Sequence, residues 1–156
     1  MRKALLPNSQ FNSRKEAVSK LELEKVLYDA SESISSKILS SAIPDSKSHG
    51  KIDLWELENL LTPILNSVVN GVSSIDYSLA ESLSFEIKRR KSSLLDDIVS
   101  FLLESLKDAF RDSIEIDYPT PRIIHLRFRK KIENTAFIKK EFSIKVYDIL
   151  RHLVGK

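Results

Sequence analysis

Apolar residues recur every three or four positions over the first two thirds of the chain and every second position near its end, so the pattern predicts helices first and strands later. Leu23, Leu27, Ala30, Ile34 and Ile38 form a stripe leading to Ala42, with Glu24, Lys25, Asp29 and Glu32 on other faces. That is an amphipathic helix. Ser13-Arg14-Lys15-Glu16 is a capping-box pattern, in which the serine oxygen accepts from the amide at the glutamate while the glutamate reaches back, so the helix is expected to start there. Serines at 31, 33, 35, 36, 40 and 41 lower its intrinsic propensity and leave packing to hold it.

Ile43 to Gly50, with Pro44 and two serines between them, predicts a connecting loop. Asp53 then caps a second helix whose stripe is Leu54, Leu57, Leu61, Ile64, Leu65 and Val68, and Gly71 can end it. Pro63 lies inside, lacks an amide hydrogen and clashes with the carbonyl of Asn59, which predicts a kink or restart near Leu61-Thr62. From Ser74 a third helix carries Leu79, Leu83 and Ile87 and reaches Lys88-Arg89-Arg90-Lys91, followed by Ser92-Ser93 and Asp96-Asp97. Cations suit a last turn and acids a first turn, so a break is placed at Ser92, with one continuous helix as the competing reading. The fourth helix uses Leu94, Ile98, Phe101, Leu102, Leu106, Ala109 and Phe110.

The period then changes. Ile114, Ile116 and Tyr118 alternate with Glu115 and Asp117, and Pro119-Thr120-Pro121 makes the turn. Over Arg122–Val146 the alternation predicts an antiparallel hairpin. Its first strand sets Ile124, Leu126 and Phe128 against Ile123, His125, Arg127, Arg129 and Lys131. Its second sets Ala136, Ile138, Phe142, Ile144 and Val146 against Phe137, Lys139, Glu141, Ser143 and Lys145, with Lys140 interrupting the apolar series. Tyr147 to Val154 closes the chain as a short helix. The expected fold class is α+β: a bundle of about four helices over residues 1–112, then a three-stranded antiparallel meander and terminal helix over 113–156, together one compact unit.

Composition narrows the chemistry. With no cysteine in 156 residues, disulfides, thiolate nucleophiles and cysteine-ligated metal sites are excluded, and a reducing compartment, the cytoplasm, is expected. His49, His125 and His152 lack metal-ligand spacing, and three glycines supply no phosphate-cradling loop, so neither metal nor cofactor is expected. No apolar run is long enough to span a membrane, and none is expected as a partner. The cations Arg2, Lys3, Arg14 and Lys15 precede the first acid, Glu16. They suggest a frayed leader, with a mitochondrial presequence as the alternative.

Charge is unevenly distributed. Residues 1–120 carry 15 Lys+Arg against 19 Asp+Glu, a net of −4, and residues 121–156 carry 10 against 3, a net of +7. The leading expectation is a non-catalytic binding protein whose basic strands contact a polyanion, most simply nucleic-acid backbone, through Arg122, His125, Arg127, Arg129, Lys131, Lys139 and Lys145, with Phe137 stacking on a base. The opposing reading pairs Arg127 or Arg129 with Glu115 and Asp117 across strands. Lys88, Arg89, Arg90 and Lys91 form a secondary basic cluster, read as a solvated helix end or, with Ser92 and Ser93, a basophilic-kinase pattern. The alternative function is a helical adaptor or self-associating subunit using its apolar stripes. A metal-dependent hydrolase built on Glu115 and Asp117 lacks the companion motif such chemistry needs.

Overall fold

The computed structural model describes residues 2–43, 49–130 and 135–154, with side chains described from residue 19 onward. The elements in chain order are α1 (Arg2–Ala42), β1 (His49–Asp53), α2 (Leu54–Ser73), α3 (Tyr77–Phe110), β2 (Ile114–Asp117), β3 (Ile123–Phe128) and α4 (Thr135–Val154), with a single 3-10 turn at Arg111–Ser113 before β2. The class is α+β, with a helical body, a three-stranded antiparallel sheet and a terminal helix.

The sheet's membership differs from expectation in one respect that matters for function. Residues 136–146 are not its third strand; they are the first half of α4. The 3.6-residue period wins there because it buries Ile138, Phe142, Ser143, Val146, Leu150 and Leu153 together, whereas a strand would have left Lys140 in an apolar row. The short helix expected over Tyr147–Val154 is the remainder of α4. The third strand is β1, in the stretch whose proline, serines and glycine suggest a loop; Pro44 to Ser48 lie outside the described residues. Strand order is β1-β3-β2, so the only sequence-local pair is the β2–β3 hairpin. In its turn Thr120 Oγ accepts from the amides of Arg122 and Ile123 at 3.3 and 3.1 Å, where two prolines can donate nothing. The sheet therefore draws on both sides of the boundary expected at residue 112.

Other boundaries moved for local reasons. α1 is helical from Arg2 and passes through Ser13 without starting there. Asp53 caps α2 as expected, its carboxylate accepting from the Trp55 amide at 3.0 Å. Gly71 does not end α2; it lies inside, where a Cβ would meet Val26 at 3.1 Å, and the helix runs on to Ser73. Pro63 sits within the same continuous helix on its exposed side. The third helix starts at the Asp76 cap, not at Ser74. Helices three and four join in one element, α3, across a kink at Arg90 (φ −112°, ψ 17°), two residues before the expected break at Ser92.

One buried cluster unites these elements. It contains Leu27, Ile34 and Ile38 of α1, Leu61 and Val72 of α2, Leu83, Ile98 and Leu102 of α3, Leu126 and Phe128 of β3, and Phe142, Val146 and Leu150 of α4. Phe110 meets Phe128 edge-on at 4.9 Å, fastening the end of α3 to the sheet. Among the described residues no helix is long and apolar enough to cross a membrane.

Candidate functional site

The sheet buries Ile124, Leu126 and Phe128 and exposes His125 and Arg127, as alternation predicts for β3. Antiparallel register then sets two rows on the exposed face: His49, Arg127 and Glu115 in one, Lys51, His125 and Asp117 in the other. Arg127 Nη1 lies 3.8 Å from Glu115 Oε2. Arg129, one pleat further on, also pairs with Glu115 through its Nη2 and is the closer of the two. A single carboxylate thus engages two of the three guanidiniums of the expected cationic ribbon. Between the sheet and the last turn of α1 runs a groove of about 450 Å³ in which Lys51 and Arg127 face Glu56 and Asp117. Its formal charges balance.

The Glu115 carboxyl titrates below the usual glutamate range. The hydrogen bond from Arg129 is the main cause and the Arg129 charge the next; desolvation pulls the other way, and the Arg127 charge adds the smallest contribution. Because the folded value is the lowered one, the pair's stabilisation is complete above the ordinary glutamate range and is lost as pH falls through the folded value. In a carbon-detected NMR titration, Arg129→Ala is expected to return the Glu115 midpoint toward its ordinary value, and Arg127→Ala to move it less. Equal midpoints in wild type and Arg129→Ala would remove the pair from the account.

Arg122 does not join them. Its carbonyl accepts from the Leu54 amide at 2.9 Å, and its guanidinium lies 4.4 Å above the Trp55 ring. Its Nε is 3.2 Å from Asp53 Oδ1, an ion-pair distance without hydrogen-bond alignment, and Nη2 donates to Oδ2 at 3.4 Å. This clasp ties the sheet to the start of α2 and engages the third arginine with an acid.

Phe137, Lys139 and Lys145, expected on the same exposed sheet face as the arginines, stand instead on α4. Lys145 pairs with Glu104 of α3 at 3.3 Å and lies 5.7 Å from the Phe101 ring. Lys131 lies outside the described residues. The secondary cluster sits at the kink where the two helical segments of α3 meet, near the helix end expected there: Arg89 grips Glu86 at 2.8 Å, Lys91 reaches Glu58 of α2 at 3.3 Å, and Arg90 is the kinked residue. The cations expected to form one surface are therefore divided between the sheet and α4. Of the two acids considered for metal chemistry, Glu115 is taken up by arginines and Asp117 stands across from His125. No cluster of three or more histidines and acids able to hold a metal forms among the described residues.

A different surface stands out between α1 and α4. Tyr28, Ser31 and Glu32 of α1 and Ala136, Lys139, Lys140, Ser143, Ile144 and Tyr147 of α4 line an open, mainly apolar groove of about 470 Å³. Tyr28 is 55% exposed and Ile144 54%. Leu21 and Phe137, seven residues before each of them, are more exposed still. The signal was present in the sequence as phase: on a helix these four side chains fall off the stripe that Leu27, Ile34 and Ile38, or Ile138, Phe142 and Val146, bury. Reading 136–146 as a strand put Ile144 on the buried side and hid it.

Comparison of the chain with protein-family models, with curated proteins and with solved structures finds no match.

Proposed function

We propose that this chain is a non-catalytic assembly protein that docks another polypeptide on the face formed by α1 and α4. The observation that carries the reading is the pair Tyr28 and Ile144, both more than half exposed on the walls of one 470 Å³ groove. Exposed apolar side chains scattered singly need no explanation, whereas apolar residues gathered at a concave seam between two helices suit the apolar face of a third. The length of α1 supports the same reading. Its 41 residues extend about 60 Å, twice the length of the 20-residue α4. Among its described side chains, which begin at Ser19, the first buried one is Leu27; Ser19 to Val26 are only half-buried or exposed. Helices of this kind gain most of their stability from packing, and a docked partner would supply it. The basic strands carry less weight in comparison, because Arg122, Arg127 and Arg129 are each engaged by an acid.

A photo-activatable cross-linking residue tests the proposal. Placed at Ile144 in the full chain it is expected to capture a polypeptide in cell extract, and placed at Tyr77, exposed on α3, to capture none. Equal capture from both positions, or none from either, would sink the reading.

A further inference from the structure

We infer that the docked polypeptide is a second copy of this chain, related by a two-fold axis; the inference rests on the docking face proposed above. The argument is self-complementarity. A two-fold interface requires one surface to carry both halves of each contact, because residue i meets j of the partner while j meets i. On α1, Glu24 and Glu32 flank Tyr28, whereas Asp29 is paired with Lys25. On α4, Lys139 and Lys140 precede Ile144, whereas Lys145 is paired with Glu104 of α3. An acidic and a basic edge thus lie side by side in one molecule, meeting at the groove where Glu32 faces Lys139 and Lys140.

The apolar residues follow the same plan. Glu24 and Glu32 stand one turn to either side of Tyr28, and Lys140 stands one turn before Ile144. Crossing α1 of one copy over α4 of the other sets Tyr28 against Ile144 and the acids against the lysines. The operation repeats the contact on the far side of the axis, with Leu21 and Phe137 extending each apolar seam. A nucleic acid or an anionic membrane would meet Glu24 and Glu32 beside Tyr28, so this surface favours protein.

Sedimentation equilibrium of the full chain tests the inference. The wild type is expected to be a dimer, and Ile144→Asp a monomer with an unchanged far-ultraviolet spectrum and, at protein concentrations too low for association, an unchanged melt, since that side chain is exposed. Glu24→Lys/Glu32→Lys and Lys139→Glu/Lys140→Glu are each expected to weaken dimerisation by about tenfold or more. Mixed one to one, the two charge-reversed variants are expected to regain dimers of wild-type affinity as mixed pairs, because new lysines then meet new glutamates at one contact while native glutamates meet native lysines at the other. A wild type that stays monomeric to about 1 mM, a dimer indifferent to Ile144→Asp, or variants that fail to rescue each other would overturn it. A monomer that still gives cross-linked adducts from position 144 with other polypeptides overturns the second copy and leaves the docking reading standing. A monomer giving none overturns both.

Discussion

Phe142→Ala is expected to destabilise the fold by about 3–5 kcal/mol, and Ile144→Ala, two residues on, by less than about 1 kcal/mol. Phe142 has no solvent exposure and sits in the central cluster with Val146 and Leu150. Truncation there removes most of a ring's transfer free energy and leaves a cavity beneath α4 that its neighbours cannot fill without moving helices. Ile144 already gives more than half its surface to water in the single chain, so truncation removes little burial. The contrast separates the two readings of residues 136–146, since on a strand both side chains would share one buried face and cost comparable amounts. Urea unfolding at low protein concentration, where association does not contribute, measures both differences from midpoints at constant slope. Comparable losses from the two variants would contradict α4.

That ambiguity explains what was legible in the sequence. Residues four apart share a face on a helix and on a strand alike, so Ile138, Phe142 and Val146 satisfy both periods, and only Lys140 and Ile144 discriminate. Lys140 argued against the strand and Ile144 for it. Where the apolar spacing mixed threes and fours, as in Leu57, Leu61, Ile64, Leu65 and Val68, no strand could compete, and α2 with its Asp53 cap was readable. The β2–β3 hairpin was readable because its pairing is local and its turn chemistry explicit. β1 was not, because five residues beginning His49-Gly50 become a strand only by pairing with β3 seventy or more residues away, and turn-forming residues precede it.

The candidate site divides along the same line. The pairing of Glu115 with Arg127 or Arg129 followed from adjacent strands, and the register sets Glu115 directly across from Arg127. That Asp53 would hold Arg122 did not follow, because 69 positions separate them. The charge split between the two parts of the chain, −4 against +7, is real, but in three dimensions it resolves into ion pairs across the split: Arg122 with Asp53, Arg129 with Glu115 and Lys145 with Glu104. Uneven charge along a chain identifies which segments attract each other before it identifies an external partner.

Gly50→Ala is expected to be the most damaging single-methyl change in the molecule, costing about 3 kcal/mol or more. No glycine among the described residues has positive φ, so backbone conformation is not the reason; proximity is. A Cβ on Gly50 would lie 1.9 Å from the carbonyl oxygen of Ala42 and 2.6 Å from its carbon, and both are backbone atoms at the end of α1 that no rotamer change can move. Relief requires α1 to withdraw from β1 or β1 to leave β3, where Gly50 is registered with Leu126. Gly71 provides the internal comparison. Its Cβ would meet only the methyls of Val26 at 3.1 Å, and alanine gains about 1 kcal/mol of helix propensity over glycine there. Gly71→Ala is therefore expected within about 1 kcal/mol of the wild type. Thermal unfolding of the two variants gives the ranking, and amide exchange locates the cause: in Gly50→Ala, protection is expected to fall first along β1 and its partners in β3. Equal melting temperatures for the two would mean that α1 and β1 do not approach each other this closely, and the joint between helical body and sheet would need another description.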